Sequence, residues 1–114
     1  MDTQALARRV VELLEDKQAS DIMLLDLRSL RTFADFFVIC SGDNERQLKA
    51  LLDVVDSEVS VEFGLETKSE GVTSAGWVLL DYGDVVVHIF SREMREFYRL
   101  ERLWSNATPL VVVQ

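Results

Sequence analysis

Apolar positions recur along this chain in two rhythms, one helical and one of period two. From Thr3 to Gln18, Leu6, Val10, Leu13 and Leu14 fall at i, i+4, i+7 and i+8. That spacing makes one helix face, and Asp2 or Thr3 can cap its start. Ile22–Leu27 and Phe36–Ser41 read as apolar strands joined by the connection Arg28–Asp35. A second helix is predicted from about Asn44 to Phe63. Its inner stripe is Leu48, Leu51, Leu52, Val55 and Val59, Asn44 with Gln47 forms a capping box, and Gly64 is its stop. Leu65–Ala75 is polar, and its first residues can extend as a strand. Ser91 can cap a third helix whose apolar positions are Met94, Phe97, Tyr98, Leu100, Leu103 and Trp104. At helical spacing such residues are more often core than a binding surface. Pro109 interrupts the tail, where Leu110–Val113 can add an edge strand.

Between these elements lies a β-hairpin signal, Gly76–Phe90. Two β-branched-rich runs flank a turn in which Gly83 takes positive φ at little steric cost. With Tyr82-Gly83 as a two-residue loop, Asp81 faces Asp84, Leu79 faces Val86, and Trp77 faces His88. Alternation then sorts the side chains. One face is aliphatic: Val78, Leu80, Val85, Val87 and Ile89. The other mixes Trp77, Leu79, Val86, His88 and Phe90 with Asp81 and Asp84, a composition common where an apolar surface meets water part of the time. The element order α-β-β-α-β-β-α predicts an α/β (α+β) fold, a single mixed sheet with flanking helices. At 114 residues one domain, 1–114, is expected, with 105–114 as a partly ordered tail.

Charge narrows the choice of partner. Twelve Lys and Arg against twenty Asp and Glu give a net charge of −8. Such a chain repels phosphate backbones and suits a basic protein partner, so little direct nucleic-acid binding is expected. Its single cysteine, Cys40, excludes an internal disulfide and fits a reducing compartment. Without a secretory signal or a long apolar run, a cytoplasmic, membrane-free protein is expected.

Few residues offer catalytic chemistry. One His and one Cys cannot build a structural zinc site. The five glycines never take a phosphate-loop spacing. Ser41-Gly42-Asp43 could hold an anion at a helix start, but a capped turn explains it equally well. Cys40 lies within an apolar strand and reads as an inert thiol. His88 is balanced between a core residue and a contact residue. Metal-dependent nucleotide transfer needs paired carboxylates on adjacent strands, and Asp43-Asn44-Glu45, which has an Asp-x-Glu spacing, lies at a helix start and not on a strand. A divergent transferase using Ser41, Asp43 and Asp84 is the enzymatic alternative, and a homodimeric assembly module is another.

Four motifs occur in order: Ala34-Asp35-Phe36-Phe37-Val38-Ile39-Cys40-Ser41-Gly42, then Glu70-Gly71, then Gly76–Phe90, then Arg95-Glu96-Phe97-Tyr98-x-Leu100-Glu101-x-Leu103-Trp104. In these the chain resembles the Iojap family, the ribosomal silencing factors. Asp43-Asn44-Glu45 departs from the family's usual Ser or Thr at the helix start, and Ser105–Gln114 matches least. The resemblance implies a nucleotidyltransferase-like fold without its catalytic acids, hence no enzyme activity, cofactor or metal. It implies a translation repressor that binds the large ribosomal subunit through its ribosomal protein fourteen and blocks small-subunit joining when nutrients fall. Some members are dimeric, so a homodimer is allowed. A 13.0 kDa globule exposes roughly 6,000 Å², and one sheet face can supply the roughly 800 Å² of a standard interface. Trp77, Leu79, Val86 and His88 are the expected centre of that contact, with Asp81, Tyr82 and Asp84 as its acidic, polar rim.

Overall fold

Asp2 opens the first helix. Its carboxylate accepts the N–H groups of Gln4 and Ala5 at 3.0 and 3.1 Å, and α1 runs Thr3–Asp16 with Leu6, Val10, Leu13 and Leu14 buried as their spacing predicts. The computed structural model describes residues 2–30, 34–99 and 106–113, without the side chains of Lys68, Glu70 and Val72. After α1 come β1 (Ser20–Asp26), a 3₁₀ turn (Arg28–Leu30), β2 (Phe36–Gly42) and α2 (Glu45–Phe63). The Gln47 N–H donates to Asn44 Oδ1 at 2.8 Å, completing half of the predicted capping box. The other half departs from prediction: the Gln47 side chain accepts the Asp43 N–H at 2.6 Å and donates to the Gln18 carbonyl at 3.1 Å. That ties the start of α2 to the end of α1. Gly64 ends α2 as expected.

The second half adds β3 (Lys68–Val72), a 3₁₀ turn (Thr73–Ala75), β4 (Trp77–Asp81), β5 (Val85–Ser91), α3 (Arg92–Tyr98) and β6 (Thr108–Val113). One six-stranded sheet results, ordered β3-β4-β5-β2-β1-β6. β2 and β5 are parallel at its centre, and the other neighbours are antiparallel. The predicted mixed sheet is present, with two additional strands at its edges. β3 lies later than the residues after Leu65 predicted. It is polar, and its place depends on pairing with β4, Gly71 opposite Val78. β6 begins two residues before the expected Leu110 and pairs with β1.

Helices α1 and α2 cover one face. Their stripes pack on Ile22, Leu24, Phe36, Val38, Cys40, Val78, Leu80, Val85, Val87 and Ile89. Alternation sends Leu25, Phe37, Ile39, Val86 and Phe90 to the opposite face, where they form a second cluster with Leu27, Ala34 and Ala107. Among the described residues, no α-helix longer than α3 covers this face. Helix α3 spans only seven residues and ends at Arg99, in the left-handed region. The predicted positions Leu100, Leu103 and Trp104 lie outside the described residues.

Candidate functional site

The hairpin turn sits one residue later than predicted. Gly83 and Asp84 form the loop: the Tyr82 N–H donates to the Val85 carbonyl at 2.9 Å, and the Asp84 N–H returns to the Tyr82 carbonyl at 3.2 Å. Gly83, at φ +85°, adopts the conformation that only glycine takes freely. Asp81 Oδ1 accepts the Gly83 N–H at 2.7 Å, so this carboxylate also fixes the turn. Moving the turn by one residue moves every cross-strand partner by two. Trp77 therefore opposes Phe90, Leu79 opposes His88, and Asp81 opposes Val86. Two residues is also the side-chain period, so both faces keep the membership that alternation assigned.

Exposure on the mixed face differs from expectation. Val86 and His88 are 3% and 4% exposed, interior positions rather than the centre of an open surface. Val86 clusters with side chains from elsewhere in the chain, including Leu25, Leu27 and Phe37, and the Phe37 ring also lies against His88. Trp77 and Leu79 are half-buried at the margin of this cluster. Tyr82 is corrected in a different way. It packs against the helix-covered cluster, away from Trp77, where burial and then the Asp56 carboxylate push its hydroxyl up to about 12. Asp81 is half-buried and Asp84 exposed. The Asp84 carbonyl accepts the N–H groups of Asp35 and Phe36 at 2.7 and 3.0 Å.

Helix α3 supplies the exposed apolar groups that Val86 and His88 do not. Phe97 is 75% exposed and Tyr98 36%, against the expectation that both are core. The Tyr98 ring lies 4.7 Å from Trp77 and 5.1 Å from Phe97, edge-on to the latter. Trp77, Tyr98 and Phe97 thus form a continuous aromatic surface from β4 to α3, with half-buried Leu79 two residues along the same strand face. Spacing gave no warning of it: at i+3 and i+4 from Met94, Phe97 and Tyr98 fall on one helix face with it.

Three anchors place α3. Ser91 Oγ accepts the Met94 N–H at 3.1 Å, the predicted cap. Arg92 bonds Asp43 Oδ1 at 2.7 Å and Ser20 Oγ at 2.9 Å. Arg95, 9% exposed, donates to the Asp21 carbonyl at 2.8 Å and to Ser41 Oγ at 3.0 Å. Sequence reasoning missed this buried arginine. The Asp21 carbonyl is available because β1 bulges there, with Asp21 at φ +50°. Gly76 completes the junction. A Cβ at this position would meet Ser91 Oγ at 2.6 Å and Met94 Cγ at 2.7 Å.

The enzymatic alternative loses its geometry. Ser41 is buried and accepts from Arg95, and Asp43 is paired with Arg92. Asp84 precedes β5, at the other end of the parallel β2–β5 pair, where Phe36 faces Val85 and Ser41 faces Phe90. Five residues of strand separate these ends, about 17 Å. Cys40 is buried, and burial pushes its thiol up to about 12, so it is inert as expected. Among the described residues, no group of three or more His, Cys, Asp or Glu is placed to hold a metal ion, and no helix is long and apolar enough to cross a membrane.

The family model described as "Ribosomal silencing factor during starvation" matches residues 1–114. The chain belongs to the ribosomal silencing factor family. The silencing factor RsfS of Halalkalibacterium halodurans is 41% identical over 108 residues, covering 94% of this chain and 92% of that protein. That of Bacillus subtilis is 37% identical over 108 residues, covering 94% and 91%. A crystal structure of a Chromobacterium violaceum protein superposes with a TM-score of 0.85 at 38% identity, covering 92% of this chain and 88% of that one. The resemblance read from the four motifs is thereby established, and with it a role in silencing ribosomes. The names carried by these relatives describe regulation of the ribosome and indicate no enzymatic activity.

Proposed function

We propose that this silencing factor acts by occlusion. In this reading it docks on ribosomal protein fourteen of the large subunit, on the face that receives the small subunit, and keeps the two subunits apart when nutrients are scarce. It needs no turnover, cofactor or metal, and it works in the cytoplasm as one domain spanning 1–114. The supporting observation is the apolar surface formed by exposed Phe97 and Tyr98 with half-buried Trp77 and Leu79. Large aromatic side chains half-open to solvent are the residue types that dominate protein interfaces. A standard contact of about 800 Å² takes about an eighth of the 6385 Å² this chain exposes. Asp81 and Asp84 at the hairpin tip and a net charge of −8 favour encounter with a basic ribosomal protein.

Sucrose-gradient profiles of mixed subunits test the reading. Added protein is expected to shrink the joined-ribosome peak and to sediment with free large subunits, less so as salt rises. Undiminished joining at saturating protein would refute occlusion. Co-sedimentation with small subunits instead would refute the partner.

A further inference from the structure

His88 is a buried polar residue with one bond, and that bond leads to the apolar surface. Its Nδ1 accepts the Trp77 indole N–H at 3.4 Å. The remaining proton of the neutral ring is therefore on Nε2, which is buried and has no hydrogen-bond partner among the described residues. Around the imidazole stand Phe37, edge-on at 4.8 Å, and Phe90, nearly parallel at 6.1 Å. For stability alone an apolar side chain would serve this position better, because a buried N–H without an acceptor is unfavourable. The direction of the one bond gives the histidine a different use. Trp77 lies flat against Phe90 at 5.4 Å and touches Tyr98 at 4.7 Å, and Tyr98 meets the exposed Phe97. A row of rings thus runs from the interior to the surface, and the His88–Trp77 bond sets the orientation of its second member.

We infer that His88 is a positioning residue of the docking surface: by accepting the Trp77 indole N–H it holds the indole against Phe90 and Tyr98, so the aromatic contact is formed before the partner arrives. A preformed surface spares the partner the entropy of ordering a large side chain. The inference rests on the proposed docking role, and the experiment separates the two.

His88→Phe keeps a ring and deletes the acceptor, whereas His88→Asn places a carbonyl oxygen close to where Nδ1 stood. Two readouts are needed: solvent exchange of the Trp77 indole N–H by NMR, assigned with Trp77→Phe, and affinity for free large subunits. His88→Phe is expected to speed indole exchange at least tenfold and to weaken subunit binding about threefold to tenfold, the worth of one hydrogen bond. His88→Asn is expected to recover most of both. Unchanged exchange and binding in His88→Phe, where Trp77→Ala abolishes binding, would overturn the positioning role. Full binding by folded Trp77→Ala would overturn the docking role itself, leaving indole exchange to judge the bond. Should His88→Phe not fold, a wild-type indole N–H that exchanges as fast as an exposed one is sufficient to reject the inference.

Discussion

Acidification should destabilise this protein through His88 before its carboxylates titrate. Burial pushes the imidazole from 6.5 down to about 4, because the charged ring cannot be solvated between Phe37 and Phe90. The folded-state value lies below the unfolded one. In the window between them the unfolded chain binds more protons, so stability is complete above about pH 6.5 and is lost as the pH falls toward 4. The full span of about 2.5 pH units corresponds to about 3 kcal/mol, and the part lost between pH 7 and pH 5 is about 2 kcal/mol. Over that range exposed Asp and Glu remain largely ionised. Urea denaturation of wild type and His88→Phe at both pH values isolates the effect. The wild-type midpoint is expected to fall by about 1–2 M more than that of the variant. Equal losses in the two proteins would refute the assignment of a buried, neutral imidazole.

Other perturbations bear on the junction that carries α3. Gly76→Ala forces a Cβ onto Ser91 Oγ and Met94 Cγ at φ +80°; thermal unfolding should show a loss of about 2 kcal/mol, and an unchanged melting temperature would contradict this packing. Arg95→Met removes the donor to the Asp21 carbonyl and Ser41 Oγ; a loss of about 2–3 kcal/mol is expected, with weaker large-subunit binding, and hydrogen exchange of α3 amides reports whether the helix has loosened.

How much of this was legible in the sequence depends on the range of the interaction concerned. The stripes of α1 and α2, their caps and the two hairpin faces follow from spacing alone, because each is decided within a few residues. Alternation also separated Trp77 and Leu79 from Val78 and Leu80 correctly, even with the turn placed one residue early. What alternation cannot give is the cover on each face. Val86 is clustered with Leu25, Leu27, Ala34, Phe37 and Ala107, and His88 packs on Phe37, all distant from the hairpin in sequence. The polar strand β3 escaped a firm reading because Lys68-Ser69-Glu70-Gly71 has neither alternation nor β-branched residues, and its register comes from β4. Arg95 was missed for a related reason: its acceptor is a main-chain carbonyl exposed by a bulge in β1, some seventy residues earlier. Phe97 and Tyr98, at i+3 and i+4 from Met94, read as an inward stripe, and spacing alone cannot show that they stay exposed.

The central claim is that the surface joining β4 to α3 meets the large subunit. Phe97 is its most exposed member and contributes little to folding. Replacing Phe97 with a photo-crosslinking phenylalanine analogue and irradiating the protein with purified large subunits reads the contact directly. The account predicts a crosslink to ribosomal protein fourteen, lost when excess unmodified protein competes. A crosslink to a protein away from the joining face, or none from a variant that still sediments with large subunits, would contradict it.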